Sequence, residues 1–248
     1  MFEPARLIQS SFSLFFECRP TIRRELNRLE DLFRGHYTPP QVLGVPDELD
    51  PEIPRVLFGS RHGFSQIVVS EISLTLNVSY SPDWQRDWAK PRPYIEERIP
   101  LLFEAAQPLS PEGPLFCGLV NRAQLLMGPS GEESLGVLNR TVLGREPETE
   151  LFDVELREVT VKDDKFFRNI SRQTFRGWRL DAPAEPPVSL ARAAAVQRGI
   201  QLLVDFNDRF AFNERPGYRS SRAAAAEILT GGFFEVGNQI RRLGGETT

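Results

Sequence analysis

The sequence contains few of the side chains that most often carry chemistry. Its 248 residues include only two cysteines and two histidines. Cys18 and Cys117 lie far apart and form no Cys-x-x-Cys pair, so a zinc pattern of cysteines is excluded and two buried free thiols are expected. His36 and His62 have no carboxylate at ligand spacing beside them, which argues against a histidine-based metal site.

The sequence also lacks the common catalytic motifs. It has no Gly-x-x-x-x-Gly-Lys-[Ser/Thr] loop, no Gly-x-Gly-x-x-Gly turn after a strand and no Gly-x-Ser-x-Gly elbow. The most concentrated polar set at a strand end is Asp205-Phe-Asn-Asp208, which suits either a metal or the turn hydrogen bonds that Asn and Asp usually make. We therefore predict a protein that is not an enzyme and has no cofactor or metal.

Charge and hydropathy bear on which partners and which cellular compartment the sequence predicts. The net charge is −4 and the pI is near 5.5, so an overall basic footprint for nucleic acid is absent. The excess of arginine, 27 residues against three lysines, is typical of a GC-rich genome and is not in itself a sign of nucleic-acid binding. No apolar stretch reaches the roughly 20 residues of a membrane span, and residues 1–4 begin no signal peptide. These features predict a cytoplasmic protein that does not enter a membrane.

What the sequence does contain is a strictly alternating stretch at residues 71–80. Apolar and small polar side chains alternate there with a period of two, which is typical of a strand with one buried and one wet face. Such strands belong to antiparallel sheets covered on one side. The apolar set is Ile72, Leu74, Leu76, Val78 and Tyr80, and the polar set is Ser73, Thr75, Asn77 and Ser79.

The order of the remaining patterns predicts an α+β fold. A strand at residues 6–18 precedes an amphipathic helix, a proline-rich loop at 36–54, three short strands and a second helix; further strands and a long helix at 220–243 follow. We expect a large, mostly antiparallel, twisted sheet with helices packed on one face. The chain divides into two α+β halves, 1–110 and 111–248, which are either separate or parts of one continuous domain.

Three local patterns carry more specific expectations. In the first strand, Ile8 and Phe12 are expected on one face together with Ser10. Between residues 150 and 161 the apolar positions change phase, which predicts a β-bulge. Gly231-Gly232 interrupts the apolar repeat of the last helix and predicts close approach to another backbone.

The small, uncharged face of the alternating stretch is the first candidate contact surface. Covering such a face with another chain costs less desolvation than covering a charged one, so Thr75 and Asn77 are predicted contact residues. Trp84 and Trp88 form a second candidate, since they lie four residues apart among charged side chains. They suit either cation–π contact or base stacking, or simple packing against the sheet.

The hairpin strand predicted at residues 166–180 is the best local candidate for an anionic partner. It includes Arg168, Arg172 and Arg176. The alternative is ion pairing with acidic residues of the neighbouring strand, which include Glu155 and Glu158.

The order of features resembles a sporadically distributed family of bacterial proteins of about this length whose function is unassigned. The resemblance rests on Phe58-Gly-Ser-Arg-His-Gly63, on Tyr80-Ser-Pro-Asp-Trp84 and on Val204-Asp-Phe-Asn207 before a C-terminal helix. A family run Gly-Leu-Arg-Tyr-x-Asn is matched at Gly118-Leu119, with Asn121 and Ala123 replacing the usual Tyr and Asn. The resemblance implies a mixed α/β fold, no known catalytic residue, and genes that often lie near defence or toxin–antitoxin genes.

Three functions remain open at this point. The first is a protein-interaction subunit or adaptor in a bacterial defence or stress system, with a protein partner or a homo-oligomer. The second is binding or processing of RNA or single-stranded nucleic acid, for which the arginine-rich hairpin offers charge. The third is a carrier of a small apolar ligand, held between a curved sheet and the terminal helix.

Overall fold

The structure is a computed structural model that describes residues 2–128, 134–144, 146, 153–177 and 197–247. Three sequence expectations fall on other residues and lie outside this description. They are the start of the predicted strand at 150–152, the end of the predicted hairpin at 178–180 and a connector that the proline-rich run at 182–187 predicts.

The nine strands of the described residues form one sheet in which every neighbouring pair is antiparallel. They are β1 (Arg6–Phe15), β2 (Gln41–Val42), β3 (Val56–Gly59), β4 (Ser65–Val69), β5 (Ser73–Ser79), β6 (Phe116–Leu126), β7 (Glu155–Lys162), β8 (Phe166–Gly177) and β9 (Gln197–Asn207). Their order across the sheet is β2-β3-β4-β5-β1-β6-β9-β8-β7.

Six α-helices accompany these strands within the described residues. They are α1 (Leu26–Phe33), α2 (Pro82–Arg86), α3 (Pro91–Ala106), α4 (Ser134–Leu138), α5 (Arg209–Glu214) and α6 (Arg222–Arg242). A 3-10 turn, Ile22–Glu25, leads into α1, and a π-helical turn, Asn139–Leu143, follows α4. No helix of the described residues combines the length and the apolar character that crossing a membrane requires.

The two halves of the chain follow the same order of elements. The first runs β1-α1-β3-β4-β5-α2-α3 and the second runs β6-α4-β7-β8-β9-α5-α6, with β2 added to the first. Because β1 and β6 pair antiparallel at the centre, the orders β1-β5-β4-β3 and β6-β9-β8-β7 run outward in opposite directions. An approximate two-fold axis between β1 and β6 therefore relates the halves.

The predicted α+β fold is confirmed. Helices α1, α3, α4 and α6 pack on one face of the sheet, and their apolar side chains join those of the strands in one hydrophobic core that spans both halves. In β5 the alternation is as predicted, with Leu74, Leu76 and Val78 fully buried and the Ser, Thr and Asn side chains facing the other way.

The long proline-rich loop is held against the sheet by arginine. Arg55 is fully buried, and its guanidinium donates to the carbonyls of Ile53 and Leu49 at 2.9 and 3.1 Å. Its Nε binds the Glu71 carboxylate at 3.0 Å. Arg23 ties the other end of the loop through the Leu43 carbonyl. The loop is therefore hydrogen-bonded to the rest of the domain through Arg55 and Arg23.

One face assignment in the first strand is wrong. A change of register between Leu7 and Gln9, relative to β6, shifts the alternation, so Leu7 is buried and Ile8 is only half-buried. From Ser10 to Leu14 the buried positions follow the predicted order. A period-two pattern locates a strand, but a bulge changes which residues share a face.

The predicted bulge in the strand near residue 159 is also wrong. The pairing of β7 with β8 runs without interruption from Glu155 to Lys162. The apolar positions change phase because Leu156 faces the helices whereas Val159 and Val161 face the opposite side, where they are 53% and 44% exposed. The pattern thus marks an apolar patch on an edge strand.

Gly231 and Gly232 permit close approach of α6 to side chains of the sheet, and not to another backbone. A Cβ at Gly231 would lie 2.8 Å from the ring of Phe206, and one at Gly232 would lie 2.9 Å from Leu119. The helix continues through both positions.

Candidate interaction face

The side of the sheet opposite α1, α3, α4 and α6 is called the open face here. Its side chains are the alternate set that the pleat directs away from the helices. Most are half-buried by their neighbours in the sheet. The central members come from β5, β1, β6 and β9, and they are Thr75, Asn77, Ser11, Ser13, Phe15, Phe116, Gly118, Val120, Asp205 and Asn207.

A ladder of neutral hydrogen bonds joins β1 to β5 near the centre of this face. Ser11 Oγ donates to Asn77 Oδ1 at 2.6 Å, and Ser13 Oγ lies 2.8 Å from Thr75 Oγ1. The register of β1 with β5 places each pair directly opposite. Thr75 and Asn77, predicted from the sequence as contact residues, are therefore the outer half of this polar ladder.

A depression of about 650 Å³ lies beside the ladder, over β5, β1, β6 and β9. Phe15 and Phe116 lie stacked in it, with ring centroids 4.4 Å apart and planes at 17°. Gly118 lets β6 and β9 approach closely at this point, because a Cβ there would lie 2.8 Å from that of Asn207. The depression is thus aromatic on one side and polar on the other.

Asp205 supplies a carboxylate to the polar side of the depression. Its two oxygens accept hydrogen bonds from Asn207 Nδ2 at 2.8 Å and Asn169 Nδ2 at 2.9 Å. Burial raises the pKa of this carboxyl above its ordinary value, while the two amide bonds act in the opposite direction. Arg209 lies at the rim with its guanidinium 5.4 Å from the Phe116 ring.

The polar set Asp205–Asp208 therefore divides between two environments. Asp205 and Asn207 face the depression, while Asp208 is fully buried. Asn207 Oδ1 accepts from the Arg209 backbone N–H at 3.2 Å, which is the turn bond expected of Asn at this position. Among the described residues no group of three or more His, Cys, Asp or Glu is arranged to hold a metal.

Asp208 instead joins the start of β6 to the segment that precedes α6. Its Oδ1 accepts the backbone N–H of Cys117 at 2.7 Å, and its Oδ2 accepts the hydroxyls of Ser220 and Tyr218 at 2.6 and 2.7 Å. Burial raises the pKa of the Cys117 thiol well above its ordinary value, which keeps that thiol protonated. This cluster suits a structural role and not nucleophilic catalysis.

The two tryptophans are used in packing. Trp88 Nε1 donates to the Ala5 carbonyl at 3.0 Å. Trp84 lies in an aromatic cluster, with ring centroids 5.3 Å from Phe64 and 5.9 Å from Tyr94. The Lys90 ammonium lies 5.9 Å from the Trp84 ring, so the cation–π contact is internal. Packing, one of the two sequence-based alternatives, accounts for both side chains.

The arginines of β8 lie on the helix-covered side. Arg172 is fully buried and binds Glu158 of β7 at 2.7 Å and Gln239 of α6 at 2.5 Å. Arg168 binds Glu235 of α6 at 3.2 Å. Arg176, on the same side of β8, also has an interaction partner. Ion pairing with the neighbouring strand, the alternative to an anionic partner, is therefore present at Glu158.

The residues that β1 and β6 contribute to the candidate face were not predicted from the sequence. Ser11 and Ser13 alternate with apolar residues in β1, but their partners in β5 lie 66 and 62 positions away. Phe15 and Phe116 similarly meet only through the pairing of β1 with β6. The alternation shows that these side chains share one face of a strand, whereas strand order and register decide which of them are neighbours.

A scan against protein-family models and searches of curated proteins and of solved structures found no match to this chain.

Proposed function

We propose that this chain is a non-enzymatic interaction subunit that binds a partner protein on the open face of its sheet. One observation carries the proposal. At the centre of that face, Ser11, Ser13, Thr75 and Asn77 form a ladder that is polar, uncharged and already hydrogen-bonded within itself.

The ladder lowers the cost of covering the face. A buried polar group is expensive when it loses its hydrogen bond with water and gains no other. The serine hydroxyls of the ladder keep their bonds to Asn77 and Thr75 when water leaves. An unpaired charge at the same place would instead lose several kcal/mol of hydration.

The depression next to the ladder offers a place for an anchor side chain. Cores of protein interfaces are depleted in charge and enriched in aromatic residues, and a few residues in well-packed pockets carry most of the affinity. Phe15 and Phe116 provide the aromatic surface, and Asp205 provides an acceptor at the opposite side. A partner that inserts a large apolar or cationic side chain here would gain most of its affinity from this contact.

The bacterial defence or stress setting follows from the family resemblance and suggests where the partner is encoded. Proteins encoded beside this gene are the first to test. The experiment is co-expression of the chain with each neighbour, purification of any complex, and titration calorimetry with the separated components. We expect binding by the native chain, and at least about tenfold weaker binding by Thr75→Arg/Asn77→Arg, because each arginine would place an unpaired charge in the interface.

Asn27→Arg is the matched control, since it places the same side chain on an exposed position of α1 in the helical layer. The control variant is expected to bind like the native chain, and circular dichroism should show all variants folded. Unchanged binding by the double variant would refute the open face as the contact surface. A native chain that binds no neighbour-encoded protein, whatever its own oligomeric state, would refute the proposal.

The depression itself favours one second candidate, the binding of a small ligand. The sequence placed such a ligand between the sheet and the terminal helix, where a depression of about 470 Å³ lies beside Phe166, Phe206 and Phe234. The depression of about 650 Å³ lies on the open face. Native mass spectrometry of the purified chain would detect a retained ligand, and Val120→Trp, which fills the depression from a half-buried lining position, should release it. No observation favours the nucleic-acid alternative comparably, because Arg168 and Arg172 are engaged by acidic and amide groups.

A further inference from the structure

We infer that a second copy of this chain pairs antiparallel with β7 through its outer edge, with Thr160 opposite Thr160 of the other copy. This contact joins two nine-stranded sheets into one and leaves the open faces of both copies on the same side. It is separate from the partner surface at the ladder of Ser11 and Thr75.

The two edges of the sheet differ in how they are protected. Natural edge strands are usually kept short, bulged, charged or interrupted by proline, because free backbone N–H and C=O groups recruit other strands. Of these devices β7 has only its charges. The edge at β2 is two residues long, and Pro39 and Pro40 precede it. The edge at β7 has eight residues, contains no proline and pairs with β8 without a bulge. Among the described residues no strand pairs with its outer side.

The open side of β7 is self-complementary in the proposed register. An antiparallel pair related by a two-fold axis places residues of the same face opposite each other, and with Thr160 on the axis Val159 lies opposite Val161 of the second copy. Both valines are among the exposed large apolar side chains, at 53% and 44%. The same register places Arg157 opposite Asp163, which lies in the turn after β7. Two valine pairs are thus flanked by two pairs of opposite charge.

The helix-covered side of β7 is complementary as well. There, Glu158 lies opposite Lys162 of the second copy, and the two Thr160 side chains meet at the axis. Glu158 uses Oε2 for Arg172, which leaves its other oxygen for the incoming ammonium. Opposite charges and Thr–Thr pairs directly across two strands are both stabilising.

Neighbouring registers lack this match. Centring the pair on Glu158 places two carboxylates directly opposite each other, and centring it on Val159 places Glu155 opposite Asp163. Like charges directly opposite destabilise an antiparallel pair. Of these three centres, the one at Thr160 alone pairs every charge of β7 from Arg157 to Lys162 with its opposite.

Sedimentation velocity of the full chain from about 1 μM to about 1 mM tests the pairing, a range that covers weak and moderate affinities. We expect a concentration-dependent dimer, and at least about tenfold weaker dimerisation for Val159→Arg/Val161→Arg, because the arginines of the two copies would face each other. Val42→Arg is the matched control, since Val42 is 48% exposed on the opposite edge strand, β2. It should dimerise like the native chain.

Disulfide trapping tests the register in a Cys18→Ser background, because Cys18, which the sequence predicted to be buried, is exposed, whereas Cys117 is buried as predicted. Residues directly opposite in an antiparallel pair have Cα atoms about 4.5–5.5 Å apart, within the range that a disulfide spans. Thr160→Cys should therefore form a covalent dimer under mild oxidation at least about tenfold faster than Val159→Cys, whose own copy lies two positions along the strand.

Three outcomes would overturn the inference: a native chain that is monomeric throughout the range, a dimer that persists in the double arginine variant, or equal trapping at positions 159 and 160. The Thr75→Arg/Asn77→Arg variant separates this contact from the proposed function. It should keep the β7 dimer while losing the partner protein, so either proposal can fail alone.

Discussion

The two halves of the sheet share one order of elements but bury charge in different ways. In the first half the fully buried guanidinium of Arg55 has a partner at each nitrogen, namely Glu71 and the carbonyls of the proline-rich loop. In the second half Arg172 is equally buried, yet Nε and Nη1 have no hydrogen-bond partner among the described residues. In that half the buried carboxylate of Asp208 is better satisfied, since its two oxygens accept three hydrogen bonds.

The difference shows that burial alone does not determine how much a charged residue contributes to the free energy of unfolding. The cost of removing one partner depends on what remains buried and unpaired. Removing Arg55 leaves Glu71, which is 2% exposed, whereas removing Arg172 leaves Glu158, whose side chain is 44% exposed. We therefore expect the two halves to respond unequally to matched substitutions.

The largest effect is expected for Arg55→Met. The variant leaves the Glu71 carboxylate and the carbonyls of Ile53 and Leu49 without their donor, so the free energy of unfolding should fall by about 3–5 kcal/mol. Urea unfolding followed by circular dichroism measures the change. Arg23→Met is the control, because Arg23 binds the same loop through the half-exposed Asp47 and should cost less than about 1 kcal/mol. Equal losses would remove the special role of Arg55.

Asp208→Ala should follow, with a loss of about 3 kcal/mol, because the Cys117 N–H and the hydroxyls of Ser220 and Tyr218 lose their acceptor. The same urea titration measures it. Ser220→Ala removes one of the three bonds and should cost about 1 kcal/mol. If the serine variant lost as much as the aspartate variant, the carboxylate would not be the centre of the cluster.

Arg172→Met is expected to lower the free energy of unfolding by less than about 1.5 kcal/mol, because the Glu158 carboxylate that remains is 44% exposed and can be hydrated, and because the unpartnered Nε and Nη1 leave the core. Gln239 then loses one partner but keeps its bond to Glu235. Thermal and urea unfolding should agree on this small change. A loss as large as that of Arg55→Met would contradict the contrast between the halves.

The smallest effect concerns the pKa of Glu158. The hydrogen bond from Arg172 lowers the pKa of this carboxyl below its ordinary value, with a further contribution from the charges of Arg172, Arg242 and Arg168. A folded-state pKa that is lowered contributes stability above the unfolded pKa, and this contribution is lost as the pH falls through the folded value. In Arg172→Met the pKa should rise and the acid limb of the stability curve should flatten. Carboxyl NMR titration measures the pKa, with Arg24→Met as a control that leaves it unchanged.

Much of the fold follows from local patterns that the sequence states directly. Alternation locates β5, the spacing of Leu229, Val236 and Ile240 locates α6, and Asp163-Asp164 marks a turn in which both residues adopt positive φ. Each depends on residues close together in the chain, and so each was predictable.

The candidate face could be predicted only in part. Thr75 and Asn77 follow from alternation in one strand, while the depression needs the register of four strands. The arginines of β8 also have partners that local sequence patterns do not reveal. Arg168 and Arg172 meet Glu235 and Gln239, each 67 positions later. Nothing in the local sequence shows that α6 returns over them.

The central position of β1 has a consequence for the order in which the strands of the sheet can pair during synthesis. During synthesis, β1 emerges first and can pair with β5 as soon as residues 73–79 have left the ribosome. Its second edge then waits for β6, whose last paired residue, Gln124, lies 118 positions after its partner Arg6. Until then one edge of β1 is unpaired in the nascent first half. Unpaired strand edges of this kind are prone to aggregation. The interval between the synthesis of β5 and that of β6 is therefore the period in which the growing chain carries this half-paired strand.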